Sequence, residues 1–304
     1  MSDERGDGEL GGPDTRDAGV PADLAADTAV TPTGAGRYAC DLPRHWDYFT
    51  PSGGVLMTIA LRAIAAELAL RPEQAAQRAV SATTVFCAPV LAGAIEVDVT
   101  VLRRGTLASQ ARAALRMAGG ETGLEVVATW ARERSSAEAT MTTAPPVPDP
   151  QALPPIDASD QRLAPNFIRN LDHRRAIGTP WWRPDEWVRG DRSGYWYRYL
   201  RPQALADGRL DPLALPPLID TMPPAMCAML GPDARSFLAP SLDLTVHFVR
   251  DTTSQWLLTH VRCREARAGF ATADIEVWDE ARRLVAVGTQ VMVLRRRREL
   301  PPSL

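Results

Sequence analysis

The sequence predicts an α+β protein made of two copies of one small domain, each a single antiparallel sheet curled around a long apolar helix. Three observations predict it. The order of elements repeats after roughly 150 residues. Each repeat carries an apolar helical stretch behind a short strand. Each then closes on alternating runs that read as antiparallel strands.

Residues 1–36 are Gly, Asp, Ala, Thr and Pro without a period, and they are expected to form a disordered acidic tail. They hold eight acids and two arginines, a net of −6, which leaves +3 on the remainder of a chain of net charge −3. Within them GAGRYA (34–39) fits a G-x-G-x-x-A dinucleotide pattern but follows no strand, so it reads as linker. The first domain is expected over residues 37–135. GRYACDLP reads as a strand and HWDYFTPSGG as a loop. VLMTIALRAIAAELAL (55–70), closed by Arg71-Pro72, reads as a helix apolar, and hence buried, on most faces. SATTVFCAP and AIEVDVTVLRRG follow as strands, then ASQARAALRM and LEVVATWAR as a hairpin joined by AGGETG.

Residues 136–165 contain seven prolines and read as a linker. A second domain is expected over 166–298, with 299–304 a short tail. FIRNLDHRRA and SGYWYRYL lead to a helix, LALPPLIDTMPPAMCAML (213–230). SLDLTVHFVR, QWLLTHVRCREARAG and a hairpin of FATADIEVWD with RLVAVGTQVMVLRRR complete it. Setting Phe86 against Phe248 aligns the halves. It places Ala79 near Ser241 and, after some slippage, Trp130 near Gln290.

Composition removes several function classes. Hydrophobic residues make up 45% and charged ones 23% of the 304 residues, the profile of a soluble globular protein. No apolar stretch is expected to approach the length of a membrane span. The acidic N-terminus is not a secretory or transit sequence, so a cytoplasmic location is expected. Cys40, Cys87, Cys227 and Cys263 form no CxxC pair and no ligand spacing with a histidine, so neither disulfide nor metal is expected. All 34 basic residues are Arg. Without Lys there is no Schiff-base chemistry and no Walker A loop. A mild positive balance suits an anionic substrate and falls far short of a nucleic-acid-binding field.

Asp220 sits alone in LPPLIDTMPPA, an apolar run with four prolines. Burying a carboxylate is costly unless it is hydrogen-bonded or its pKa rises. Taken singly, Asp220 reads as a cap, Gln290 as a satisfied core amide and Ser241 as the start of a strand. Three stretches together say more: GG at 53–54 opening the first helix, SLDLTVHF (241–248), and GTQVMVLR (288–295) after LVAVGT. With the order of elements, they resemble the acyl-CoA thioesterase II family over roughly residues 37–298. That resemblance implies a double hotdog fold and hydrolysis of a fatty acyl-CoA to free acid and CoA, without metal or other cofactor. It implies a reaction centre of Asp220 on the second helix, Ser241 on the following strand and Gln290 on the last strand. The substrate would be an acyl-CoA or acyl-carrier thioester; no nucleic acid and no membrane span is implied, and such units pair into homo-oligomers. Two departures stand out: Leu244 occupies the place of a family His, and prolines surround Asp220.

The chemistry fits. Thioester hydrolysis needs a positioned water, a base for its proton and donors for the oxyanion. Desolvation strengthens an Asp as a base, and a hydroxyl and an amide can both hold water and donate to a carboxylate. Strand alternation is expected to put Ser241, Asp243, Thr245 and His247 on one face, the last three as substrate contacts. Gly53 and Gly54 are expected to let the substrate approach the backbone, with the first amides of that helix as an oxyanion hole. The first half lacks the polar set, so one site per chain is expected, in the second domain. Two other functions remain open: a hotdog hydratase or dehydratase using an Asp and a nearby His, disfavoured because TMPPA holds none, and a catalytically silent acyl-CoA-binding protein.

Overall fold

A computed structural model describes residues 21–156 and 166–296. The chain starts with a one-turn helix α1 (Leu24–Asp27) and a strand β1 (Thr31–Gly34), which turns at Gly36 into β2 (Arg37–Leu42). This corrects the expectation of a tail without structure for residues 21–36; residues 1–20 lie outside the described residues. Asp23 caps α1 by accepting from Ala25 N, Leu24 is buried, and Asp27 Oδ2 accepts from Trp46 Nε1 at 2.9 Å. GAGRYA is thus a hairpin turn rather than linker, with Gly36 at φ +64, where glycine is favoured.

The first half continues with α2 (Gly53–Ala69), β3 (Arg78–Phe86), β4 (Gly93–Arg103), β5 (Ala108–Met117) and β6 (Thr122–Ala131). The second half comprises β7 (Leu171–Ile177), β8 (Arg192–Tyr199), α3 (Leu215–Ile219), α4 (Pro223–Leu230), β9 (Phe237–Leu238), β10 (Asp243–Phe248), β11 (Leu257–Arg267), β12 (Phe270–Asp279), β13 (Leu284–Val293) and β14 (Arg295–Arg296). β9 and β14 form a small pair, and the rest form a 12-stranded sheet in the order β1-β2-β4-β5-β6-β3-β10-β13-β12-β11-β8-β7. Read from either end, this order is the same: β2, β4, β5, β6 and β3 answer β8, β11, β12, β13 and β10. The two expected sheets are therefore fused edge to edge along β3 and β10. The axis relating them passes between Thr83 and Thr245, which pair across the seam with hydroxyls 3.0 Å apart.

That symmetry fixes equivalences that sequence slippage left loose. Thr83 pairs with Val127 as Thr245 pairs with Thr289, so Ala128 answers Gln290, where the alignment had suggested Trp130. Ala79 pairs with Trp130 as Ser241 bridges Met292, which bears out the match of Ala79 with Ser241.

The apolar helices explain the core. α2 buries Val55, Leu56, Met57, Ile59, Leu61 and Ile64 on nearly all sides, within a core shared by both halves. Its counterpart, expected as one helix over 213–230, is broken. Pro223 and Pro224 lack the N–H groups that would continue the i to i−4 ladder, so α3 ends at Asp220 and α4 restarts with the prolines in its first turn. The run Pro212–Ala234 is, by length and composition alone, apolar enough to cross a membrane (mean hydropathy 1.3), contrary to expectation; 78% of its most apolar window is buried within the fold.

The proline-rich stretch expected as a linker is a strap over the outer face of the second half. A chain of prolines keeps free carbonyls, and tryptophan and arginine groups bind them. Trp196 Nε1 donates to Pro148 O at 3.0 Å, Arg282 to Val147 O at 2.9 Å, and Arg174 to Pro150 O at 2.7 Å. Val147 and Leu153 pack on Trp196, Trp256, Leu258 and Trp278. The part of the expected linker over 157–165 lies outside the described residues.

α2 meets α3 backbone to backbone. A Cβ on Gly54 would stand 2.3 Å from Pro216 O. Thr58 Oγ1 donates to Leu213 O at 2.8 Å, and Arg62 pairs with Asp211 at 2.7 Å, so the segment leading into α3 is pinned along α2. Gly54→Ala must push the helices apart. It is expected to destabilise by about 1–3 kcal/mol, seen as a Tm lowered by several degrees. Gly190→Ala, where a Cβ meets nothing within 4 Å, should leave Tm unchanged.

Candidate active site

The break between α3 and α4 carries Asp220 as the last residue of a helical turn, with its amide donating to Pro216 O at 3.0 Å. Its side chain is 7% exposed. Ile219 beside it packs into the space over Gly288, where a Cβ would lie 2.5 Å from Ile219 Cγ2. That glycine lets α3 approach β13. On β13, Ala286, Gly288, Gln290 and Met292 face inward by strand alternation, so Gln290 meets the end of α3.

Ser241 arrives by an irregularity. Ser241 bridges Met292, whereas Thr245 pairs with Thr289, so four steps along one chain match three along the other. This extra residue acts as a bulge and turns Ser241 to the inner face. Asp243 holds the bulge, its Oδ1 accepting from Val291 N at 2.8 Å. The expectation that Ser241, Asp243, Thr245 and His247 share one face is therefore corrected: Thr245 and His247 lie on the outer face, His247 exposed. Leu244 points into the core.

Four donors converge on Asp220. Gln290 Nε2 donates to Oδ1 at 2.7 Å and Ser241 Oγ at 3.3 Å. Ser52 Oγ and Gly54 N each donate to Oδ2 at 3.0 Å. The first pair belongs to the second half and the other pair to the first half. The site accordingly lies between the halves, which corrects the expectation of a site contained in the second domain. Sequence reasoning missed Ser52. The available signal was its place as the residue before a predicted helix, where Ser is favoured. The structure brings Asp220, Ser241, Gln290 and Gly54 together. Gly53 lies beside them, its Cβ position 3.4 Å from Asp220 Oδ2 and 2.6 Å from the Phe86 ring.

The helix start is not arranged as an oxyanion hole. Gly54 N is given to Asp220, and Val55 N and Leu56 N bond to Ser52 O at 3.0 and 3.1 Å. The spaces beside both glycines are filled by Phe86 and Pro216, so neither offers room for a substrate. Gln290 is 1% exposed, and its Oε1 meets no donor among the described residues. Burial raises the carboxyl of Asp220 above its ordinary value, while Gly54, Ser52, Gln290 and Ser241 pull it back in that order. Tyr48 stands nearby, stacked on Phe167 at 4.8 Å; burial, and then the neighbouring Tyr197 and Asp220, hold its phenol well above the ordinary range.

Comparisons with known proteins agree with this architecture. Residues 142–294 match the acyl-CoA thioesterase C-terminal domain, and residues 42–132 match the acyl-CoA thioesterase N-terminal domain. The chain belongs to the acyl-CoA thioesterase family. As a member of that family it is a thioester hydrolase whose substrates are acyl-CoA thioesters. Among curated proteins, none matches the sequence closely enough to count as a relative. Solved structures share the hotdog fold. A conserved protein of unknown function with a hot dog fold from Alicyclobacillus acidocaldarius superposes with a TM-score of 0.77 at 21% identity, over 91% of this chain and 99% of that one. An acyl-CoA thioesterase II, TesB2, from Mycobacterium marinum gives 0.71 at 18% identity, over 93% and 100%. The tesB protein of Mycobacterium avium subs paratuberculosis gives 0.69 at 18% identity, over 90% and 98%.

The raised carboxyl has a consequence for the stability of this thioesterase. A folded-state pKa above the unfolded one means the native protein holds that proton more tightly. Its contribution to stability is whole below the ordinary carboxylate value and is lost as pH rises through the folded value. Asp220→Asn removes this titration. Thermal melts from about pH 4 to about pH 8 should show the Tm gap between the two proteins moving in the variant's favour as pH rises. A gap that does not vary with pH would show that burial does not raise this carboxyl.

Proposed function

We propose that Asp220 is the general base of the hydrolysis, with Gln290 and Ser241 positioning the attacking water, and that fatty acyl-CoA is the substrate. The observation that carries this reading is the convergence of four donors on one buried carboxylate at the joint of a broken helix. Two donors on each oxygen use the lone pairs of a carboxylate, so a water must take the place of one of them. The Ser241 contact, the longest at 3.3 Å and from a half-buried side chain, is the one to yield. A water there gives one proton toward Asp220 Oδ1 and accepts from Gln290 Nε2, the amide that donates to the Ser241 hydroxyl in the structure.

Chemistry follows from that placement. The water oxygen attacks the thioester carbon while its proton passes to Asp220. The tetrahedral intermediate collapses, the carbon–sulfur bond breaks, and the thiolate of CoA takes the proton back from Asp220. A base whose pKa lies between that of an ordinary carboxylate and neutrality accepts and returns a proton more readily than one far below the working pH. Burial raises Asp220 in that direction. The hydratase reading calls for a His paired with the acid, whereas the partners of Asp220 are two serines, a backbone amide and a glutamine.

Free-thiol release from a panel of acyl-CoA chain lengths tests the assignment. Asp220→Asn should lower kcat by at least about 100-fold, and Gln290→Ala by about tenfold or more. If both variants stay within about tenfold of wild type, the residue assignment is wrong. Binding of acyl-CoA without any thiol release by the wild type would favour the silent binder.

A further inference from the structure

The first half of the chain supplies more than symmetry. Ser52 occupies the position before α2 where a serine side chain ordinarily accepts from an amide of its own helix. Here its side chain makes no such cap bond. Its hydroxyl turns instead to Asp220 Oδ2, alongside Gly54 N, each at 3.0 Å. The carboxylate of the second half thus caps the helix of the first, at the end where the helix dipole favours negative charge. Ser52 is 1% exposed and held on both sides by backbone bonds: its amide donates to Trp46 O at 3.0 Å, and its carbonyl accepts from Val55 N and Leu56 N.

We propose that Ser52 is a positioning residue for the hydrolysis: its hydroxyl fixes Oδ2 of Asp220 from the first half, so that Oδ1 faces the reacting water and the carboxylate stays charged. The proposal rests on Asp220 being the base. The division of labour follows from the geometry. Oδ2 is bonded by a helix end that cannot move without disturbing the core. Oδ1 is bonded by Gln290 and, more loosely, by Ser241. Rotation of the carboxylate about its own axis would exchange the two oxygens, and Ser52 and Gly54 oppose it.

The sign of the effect is fixed. A hydrogen bond to the charged form favours that form, so removing the hydroxyl makes the carboxylate harder to ionise. Among the described residues, the titratable group coupled to Asp220 is the phenol of Tyr48, with those of Tyr197 and Tyr199 behind it, all raised by burial and therefore neutral across the working range. The acid limb of the rate profile then reports on Asp220.

The test is the pH profile of kcat for thiol release by wild type, Ser52→Ala, Ser52→Thr and Asp220→Asn, with Tm measured for each. Ser52→Ala should move the acid limb upward by about one pH unit, and Ser52→Thr, which keeps the hydroxyl, should restore it. If Ser52→Ala does not fold, Ser52→Cys, a weaker donor of similar shape, should move the limb the same way by less. A limb that stays in place in the folded variant, even with kcat or Tm lowered, overturns the proposal, because a purely structural role scales the curve without moving it. Wild-type activity in Asp220→Asn would instead refute the base itself.

Discussion

A carboxylate with almost no contact with water is the constraint around which this molecule is arranged. Left alone, it would cost several kcal/mol or take up a proton. Two donors from each half satisfy it, and neither half can do so by itself. The edge-to-edge fusion of the two sheets along β3 and β10 is what brings those donors within reach. Duplication of the domain therefore did more than double the core. It placed the start of one buried helix against the break in the other.

Small residues and prolines make that meeting possible. The prolines end α3 at Asp220 and restart the helix beyond it, so the carboxylate projects from a joint instead of lying along a helix face. Gly54 lets the two helices touch at their backbones, and Gly288 lets α3 settle on β13. The bulge before β10 turns Ser241 inward. The related positions in the first half, Ala79 and Ala128, have side chains without polar atoms. One half thus became the acid's holder and the other its cap.

The fold was legible because its signals are long. An apolar run of α2's length and strands alternating over about ten residues leave little choice of structure. Asp220, Ser241 and Gln290 were legible only through their order and the resemblance; nothing in the sequence placed them in contact. What escaped has a common cause. A one-residue bulge reverses the face of every side chain beyond it, which alternation cannot foresee, and it sent Thr245 and His247 outward. The capped turn of α1 and the proline strap are held by contacts distant in sequence, Asp27 with Trp46 and Pro148 with Trp196, invisible to local composition. Ser52 looked like a loop residue because its partner lies 168 residues away.

The central claim is that this doubly held carboxylate acts as a base toward water and does not itself attack the thioester. Both of its oxygens are engaged by two donors, an arrangement that suits proton transfer and blunts a nucleophile. A single turnover in water enriched in heavy oxygen tests this directly, with the label measured by mass in the released acid and in the peptide containing Asp220. Attack by water leaves the heavy oxygen in the released acid and none in Asp220. Heavy oxygen in Asp220, with the acid of the first turnover unlabelled, would mean that the carboxylate attacked the thioester itself and would contradict the account.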